Sequence, residues 1–258
     1  MNLLFQNAIR RNSQKIPPIW FMRQAGRYHS HYQGLRQQYT FEQLCRQPEL
    51  AAQVALGPIM DFDYDVSILF SDILFPLDGL GFELSYSDAG PKLQKSIKTG
   101  YRYSSLQAAE ALAQLAFQAE ALKITREVLP KDKSLIGFVG GLWTLFVYAC
   151  EGGHAGAMTF AKNEFIQSED LVHTLAQVIC GNIEMQLKAG AEVAVMLALP
   201  PLVLTQGNPA GAEESKLTVA SEKFRSELAK EAGVLRETAT RIEIARAAWL
   251  ASTRHNGA

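Results

Sequence analysis

The sequence LIGFVGG, residues 135–141, is the most informative stretch of the chain for its fold. The first five residues form an uninterrupted apolar run, which is typical of a strand covered on both faces of a sheet. Two glycines follow at the point where the chain leaves the run. We therefore predict a buried strand over residues 135–139.

Other segments repeat this pattern along the first three quarters of the chain. Three further apolar runs predict buried strands: PIWFM at residues 18–22, VSILF at residues 66–70 and VAVML at residues 193–197. Amphipathic or capped segments predict helices over residues 48–60, 106–129 and 168–189. The last of these has Ser168 as its capping residue and Gly190 as its stop. Residues 81–86 alternate in polarity, which predicts a hairpin with residues near Tyr101.

Strands that are separated by long helical segments pair in parallel through crossover connections, so the fold class is α/β. Both a (β/α)8 barrel and an open doubly wound sheet satisfy this pattern. Periodicity alone does not choose between them.

The chain changes character after residue 198. Of all its aromatic residues, only Phe224 and Trp249 lie beyond residue 200, and residues 219–250 are rich in Ala, Glu, Lys and Arg. We therefore divide the chain into an α/β portion over residues 1–198 and a divergent, mainly helical portion over residues 199–258.

Composition excludes several classes of function. The 258 residues include 25 Lys and Arg against 26 Asp and Glu, a net charge of −1, which argues against nucleic-acid binding. The three cysteines form no CxxC pair, so we expect free thiols in a reduced compartment. No segment has the length and apolarity of a signal peptide or a membrane span. We expect a cytoplasmic protein without a membrane partner.

The first candidate site is Arg23-Gln24-Ala25-Gly26-Arg27, directly after the predicted strand at residues 18–22. Active sites of α/β barrels lie at the carboxyl ends of the strands, and guanidinium groups bind carboxylates in a bidentate manner. Gly26 allows the backbone to turn close to a ligand. The alternative is a solvated loop whose arginines pair with Asp or Glu.

The second candidate is Asp72, which follows Ser71 at the end of the predicted strand at residues 66–70. It can face the same mouth as the arginines, whose charge should lower its pKa and keep it ionised. A carboxylate there can accept hydrogen bonds from ligand N–H groups or stabilise positive charge. The alternative is a helix N-cap.

The third candidate is the pair Gly140-Gly141 with Tyr148 about two turns further on. Glycines that open a helix after a strand are similar to an anion cradle, but no nucleotide-binding motif is present. Tyr148 is either a residue of the mouth or a half-buried core tyrosine. A metal site at His29 and His31 lacks a third ligand, so we predict none.

Three segments together resemble the uroporphyrinogen decarboxylase family: PIWFMRQAGRY at residues 18–28, ILFSDIL at residues 68–74 and IGFVGGLWTLFVYACEGG at residues 136–153. The resemblance implies a (β/α)8 TIM barrel, commonly a homodimer, without metal or organic cofactor. It implies decarboxylation of the four acetate groups of uroporphyrinogen III to give coproporphyrinogen III in haem biosynthesis.

The same resemblance implies roles for individual residues. Asp72 matches the central aspartate that holds the macrocycle and stabilises a protonated pyrrole, and Tyr148 matches a substrate-contacting tyrosine. Arg23 and Arg27 match the arginines that face the substrate carboxylates. Gln24, Ala25 and Gly26 match the loop that lines the substrate.

The sequence also departs from the family pattern. Leu142 stands where proline is usual, and after Met196 we find neither the family's Ser- or Thr-bearing segment nor its glycine-flanked histidine. We therefore expect an incomplete or truncated barrel in this chain. Two alternatives stay open: a catalytically inactive remnant that acts as a binding or interaction protein, and a methyl-transferring relative that uses cobalamin and zinc.

Overall fold

The computed structural model describes residues 1–87, 90–103, 107–153, 158–165 and 167–197. Its centre is a parallel sheet of three strands in the order β1-β4-β5. The strands are β1 (Val66–Ile68), β4 (Ser134–Gly140) and β5 (Val193–Leu197). All seven residues of β4 are buried, which confirms the strand predicted from its apolar run. The runs at residues 66–70 and 193–197 are confirmed as strands too.

Helices connect the parallel strands, as the predicted crossovers require. Before β1 the chain forms α1 (Leu3–Ile9), α2 (Ser30–Gln38), α3 (Phe41–Arg46) and α4 (Pro48–Phe62). Between β1 and β4 lie α5 (Phe75–Gly79), the hairpin β2 (Leu84–Ser87) and β3 (Gly90–Leu93), a 3-10 turn (Ile97–Thr99), α6 (Ala108–Ala113) and α7 (Ala116–Val128). Between β4 and β5 lie α8 (Leu142–Glu151), α9 (Thr159–Glu164) and α10 (Glu169–Lys188).

The core lies where α8 and α10 pack against the sheet and against the hairpin side of the molecule. Its largest fully buried side chains include Phe75, Phe82 and Phe146. Complete burial of one such side chain contributes about 1.5–3 kcal/mol. A second cluster joins α4 and α7 to β1 and β4 around Leu122 and Leu135. The described part of the chain contains no helix that is long and apolar enough to cross a membrane.

The predicted strand at residues 18–22 is wrong. This segment is extended but forms no regular ladder: Ile19 N–H donates to Asp65 Oδ2 at 2.7 Å, and Ile19 C=O accepts from Asp65 N–H at 3.1 Å. Ile19 and Phe21 are 46% and 56% exposed. Trp20 packs on the buried cluster of Val66, Ile136 and Val193. The described residues place no strand on the other side of the segment, so Ile19 and Phe21 are uncovered.

The predicted hairpin partner of residues 81–86 is also wrong. β2 pairs antiparallel with β3, with Tyr86 opposite Pro91, and not with residues near Tyr101. A nearer partner strand closes a shorter loop and loses less chain entropy. Tyr101 instead packs its ring on Phe82 and donates its hydroxyl to the Leu80 carbonyl at 3.0 Å.

Two predicted helices need smaller corrections. The helix over residues 106–129 is divided into α6 and α7 by a tighter turn, in which Leu115 N–H donates to Leu112 C=O and Leu115 is buried. The helix over residues 168–189 is confirmed as α10, but the Ser168 side chain does not cap it, since Ser168 Oγ donates to Glu164 Oε1. The helical portion predicted over residues 199–258 lies outside the described residues.

A close approach between β4 and α10 gives a stability prediction. A methyl group added at Gly137 would collide with the carboxamide of Gln186, which is buried against the strand. We expect Gly137→Ala to lower the free energy of unfolding by about 1–3 kcal/mol, because overpacking displaces α10 from the sheet. Urea denaturation measures this. Gly34→Ala is the control: it meets open space within α2 and should be neutral or stabilising by up to about 1 kcal/mol. Equal stability of both variants would contradict the close contact between Gly137 and Gln186.

Candidate active site

The carboxyl ends of the three parallel strands meet at one edge of the sheet, and a cavity of about 270 Å³ opens there. Its wall is mostly apolar and comes from residues 22–25, residues 68–73, Ala55, Phe138 and Leu197. The polar side chains in this wall are Arg23, Gln24, Ser71 and Asp72. Two of the three segments predicted as candidate sites therefore line one cavity.

The loop at residues 23–27 is held in place by buried hydrogen bonds. Gln24 is 1% exposed, and its Nε2 donates to the Val66 carbonyl at 2.9 Å, which ties the loop to the start of β1. Tyr28 Oη donates to the Gln24 carbonyl at 2.5 Å, and His29 N–H donates to the Gly26 carbonyl at 2.9 Å. The Gln24 side chain therefore anchors the loop at the cavity.

The two arginines of this loop occupy different positions. Arg23 lines the cavity, whereas Arg27 is exposed and lies outside the lining; its charge acts on the phenol of Tyr32. Within the described ranges neither arginine forms an ion pair. The alternative prediction, a loop whose arginines pair with Asp or Glu, is therefore wrong for that part of the chain. Of the other loop residues, Ala25 lines the cavity and Gly26 does not.

Asp72 lies in the cavity wall just beyond β1. Its Oδ1 accepts a hydrogen bond from Leu74 N–H at 2.7 Å, two residues further along the chain. This is the local turn that aspartate forms with its own backbone. Asp72 is not the N-cap of α5, because that position belongs to Leu74. The N-cap alternative is therefore wrong.

The predicted direction of the Asp72 pKa is wrong. Burial raises the pKa of Asp72 above its usual value, and the hydrogen bond from Leu74 N–H and the nearby Tyr86 hydroxyl oppose this only in part. Neither Arg23 nor Arg27 contributes to the shift of the Asp72 pKa. Arg23 is exposed at the rim, where water screens its charge. Desolvation, which favours the neutral carboxyl, therefore dominates.

Tyr148 is buried on α8 in the main core cluster, 8% exposed, and it does not line the cavity. It still lies within electrostatic reach of the site: burial and then the charge of Asp72 raise the Tyr148 pKa. Tyr148 therefore packs as a core tyrosine. It nevertheless lies close to Asp72 and thus next to the candidate site.

The glycine pair at residues 140–141 has a packing role in this structure. Gly141 N–H donates to the Leu197 carbonyl at 2.7 Å, so it is not available to an anion. A Cβ at Gly140 would lie 2.9 Å from Leu145 Cδ2 and 3.0 Å from the Ile73 carbonyl. The glycines therefore allow β4 to lie close to β5 and to the segment around Ile73 that follows β1. The prediction of an anion cradle is wrong for Gly141.

Three side chains near Asp72 and Ser71 were missed by the sequence reasoning. Tyr86 on β2 and Cys45 on α3 are electrostatically coupled to Asp72. Gln118 on α7 donates to Ser71 Oγ at 2.9 Å and accepts from Gln186 Nε2 at 3.3 Å, which links the cavity edge to α10. A polar residue on the apolar face of an amphipathic helix was the available signal for Gln118.

The candidate metal ligands form other contacts. His29 Nε2 lies 2.6 Å from Asp61 Oδ2, and His31 Nε2 lies 3.1 Å from the Gln53 carbonyl oxygen. Among the residues that the structure describes, no three His, Cys, Asp or Glu side chains come together as a metal-binding group.

An α/β chain with an arginine and a half-buried aspartate in a cavity at the carboxyl edge of parallel strands has the layout of an α/β-barrel enzyme. Residues 1–200 match the family model described as uroporphyrinogen decarboxylase. The chain therefore belongs to the uroporphyrinogen decarboxylase family, and the expected α/β-barrel fold class is confirmed.

Named relatives show the extent of this similarity. The chain is 38% identical over 200 residues to the uroporphyrinogen decarboxylase of Anaeromyxobacter dehalogenans, and the aligned region covers 74% of this chain and 58% of that protein. It is 38% identical over 194 residues to the enzyme of the same name from Chloroherpeton thalassium, covering 73% and 55%. The chain thus spans somewhat more than half the length of these relatives, which by name are carboxy-lyases.

Among solved structures, the fold is similar to that of a methyltransferase from Methanosarcina mazei. The TM-score is 0.57 at 16% sequence identity, and the match covers 87% of this chain and 66% of that one. At this identity the similarity concerns the fold alone.

The anchoring of the loop by Gln24 can be tested by substitution. We expect Gln24→Ala to lower the free energy of unfolding by about 1–3 kcal/mol, because the buried Val66 carbonyl loses its side-chain donor. Urea denaturation measures the change. Gln38→Ala, at an exposed position on α2, is the control and should stay within about 0.5 kcal/mol of wild type. Equal effects of the two substitutions would contradict the anchoring role.

The raised pKa of Asp72 gives a prediction with a defined sign. A carboxyl with a raised folded-state pKa favours folding at low pH, and this contribution is lost as the pH rises through that pKa. We expect Asp72→Asn to stabilise the protein at pH 7 by roughly 0.5–2 kcal/mol, since the amide keeps the Leu74 contact without a buried charge.

The measurement is chemical denaturation at pH 7 and at pH 4, where the advantage of Asp72→Asn should shrink. Asp132→Asn, which changes an exposed carboxylate, is the matched control and should show no such advantage. A destabilised Asp72→Asn at pH 7 would show that burial does not dominate the energetics of Asp72.

Proposed function

We propose that this chain acts as a uroporphyrinogen decarboxylase, which removes the four acetate carboxyl groups of uroporphyrinogen III as CO2 and leaves methyl groups. The product is coproporphyrinogen III, and the reaction belongs to porphyrin and haem biosynthesis. The observation that carries the proposal is a half-buried carboxylate, Asp72, in the wall of a cavity that Arg23 also lines. Family membership supports the proposal, and the partial coverage of the relatives makes the test below necessary.

Asp72 supplies the central chemistry in this proposal. Its carboxylate accepts hydrogen bonds from pyrrole N–H groups of the macrocycle. When a pyrrole ring takes up a proton, the negative charge of Asp72 stabilises the resulting cation, and the effect is large because the site is poorly hydrated. The protonated ring then receives the electron pair of the breaking C–CO2 bond. CO2 departs, a proton adds to the remaining exocyclic carbon to complete the methyl group, and the ring releases the proton that it first took up, which restores the neutral pyrrole.

The substrate itself is the electron sink in this scheme, so the proposal includes no metal and no organic cofactor. Arg23 and Arg27 bind substrate carboxylates, for which the guanidinium group is well suited. The loop that lines the macrocycle contains Gln24, Ala25 and Gly26. Tyr148, which lies near Asp72, also contacts the substrate in this proposal. The cavity, at about 270 Å³, is below the usual range of ligand pockets, so in this proposal it receives one part of the macrocycle at a time.

The proposal extends to organisation and location. We infer a decarboxylase-like portion over residues 1–198, a separate helical portion over residues 199–258, and a cytoplasmic homodimer. Support for an assembly comes from aromatic side chains that lie together near the loop, of which Phe21, Tyr28 and Phe62 are exposed. The ring centroids of Phe21 and Tyr64 are 5.3 Å apart, and those of Tyr28 and Phe62 are 6.4 Å apart.

The experiment is anaerobic incubation of the purified chain with uroporphyrinogen III, followed by oxidation and chromatographic separation of the porphyrins. We expect products with seven to four carboxyl groups. Asp72→Ala should reduce the rate by at least about a hundredfold, because it removes the charge that stabilises the cation. Asp132→Ala, the exposed control, should retain the wild-type rate.

Two results would overturn the proposal in different ways. Binding of uroporphyrinogen III by folded protein without turnover would favour the alternative, a catalytically inactive member that acts as a binding protein. Turnover that persists unchanged in Asp72→Ala would show that Asp72 is not the central group.

A further inference from the structure

Tyr86 is a half-buried residue of β2, and its hydroxyl is buried with no hydrogen-bond partner of regular geometry among the described residues. The same hydroxyl lies close enough to Asp72 for the two groups to perturb each other's ionisation. A buried hydroxyl without a partner is costly, so its position beside a carboxylate calls for a physical reason.

Aromatic packing fixes the ring of Tyr86. It meets Phe41 edge to face with centroids 5.1 Å apart, and Phe75 with centroids 6.5 Å apart. The hairpin holds its backbone, where Tyr86 pairs with Pro91. Contacts on two sides and a paired backbone leave the hydroxyl only small rotations, and these are the movements that bring it to or from Asp72.

Asp72 has one carboxylate oxygen available for this contact. Oδ1 accepts from Leu74 N–H, and within the described ranges Oδ2 accepts no hydrogen bond of regular geometry. The other titratable or charged side chains around Asp72 are Cys45 on α3, Tyr148 on α8 and Arg23 in the cavity wall.

We propose that Tyr86 is a positioning residue for Asp72, a role that rests on the proposed function: its hydroxyl donates to Oδ2 and holds the carboxylate toward the cavity. With Leu74 N–H on one oxygen and Tyr86 on the other, the carboxylate plane is fixed before the macrocycle arrives. Such preorganisation is what makes a fixed charge effective for a developing cation.

The ionisation of the two groups agrees with this direction of donation. Burial, and then the negative charge of Asp72, raise the pKa of Tyr86 far above its usual value, so its hydroxyl keeps its proton and is a donor at every pH of interest. The contact with Tyr86 in turn lowers the pKa of Asp72 against the effect of burial. Loss of the hydroxyl must therefore raise the pKa of Asp72 further.

The test compares Tyr86→Phe with Tyr101→Phe in the full chain. Phenylalanine keeps the ring that packs on Phe41 and Phe75 and removes only the hydroxyl. Tyr101→Phe is the matched control, because that hydroxyl bonds to the Leu80 carbonyl instead. The first readout needs no substrate: the carboxyl carbon of Asp72, labelled with 13C, is followed by NMR during a pH titration.

We expect the titration midpoint of Asp72 to rise by about one pH unit in Tyr86→Phe and to stay unchanged in Tyr101→Phe. In the decarboxylation assay, the acid limb of the kcat/KM profile should move to higher pH by the same amount, with kcat/KM about tenfold lower on that limb. A stability loss without a shift of either profile would reduce Tyr86 to a packing residue and overturn the proposal.

The two readouts separate this proposal from the proposed function. An Asp72 midpoint that does not move in Tyr86→Phe refutes the positioning contact, whatever the activity of the chain. A midpoint that moves in a protein without turnover supports the contact and refutes the proposed function.

Discussion

Parallel pairing of β1 and β5 on either side of β4 determines where every residue of the site can lie. β4 is buried along its whole length, and its register sets Ile68 beside Ile136 and Leu197 beside Gly140. The carboxyl ends of the strands consequently share one edge, and the segments that follow them must line the same cavity. Gln24 then brings the first loop to this edge through the Val66 carbonyl.

The candidate site places the destabilising charge of Asp72 among side chains that are held by hydrogen bonds. Burial works against ionisation of Asp72, whereas the Leu74 N–H and the Tyr86 hydroxyl work for it. A buried carboxylate of this kind lowers stability at neutral pH, and proteins keep such groups where function requires them. The linked amides of Gln118 and Gln186 connect Ser71 to α10 through hydrogen bonds, which supports the end of β1 beside Asp72.

Sequence reasoning reached the fold class, the buried strands from residue 66 onward and the loop and Asp72 that line the cavity. Each of these depends on local pattern, which a single sequence carries. It failed where the answer depends on neighbours: residues 18–22 have a strand's composition but lack a partner strand on one side, and the pKa of Asp72 follows burial because Arg23 is exposed. Tyr86 was missed because only the hairpin register brings it to Asp72.

The most direct test of this account is the affinity of the cavity for the macrocycle, measured by anaerobic equilibrium dialysis of uroporphyrinogen III against wild type and Asp72→Asn. Asparagine preserves the size of the side chain and its acceptor for Leu74 N–H, so the comparison isolates the charge. The account predicts a one-to-one complex that is weakened at least about tenfold by the substitution. Equal affinity of the two proteins, or no binding by folded wild type, would contradict it.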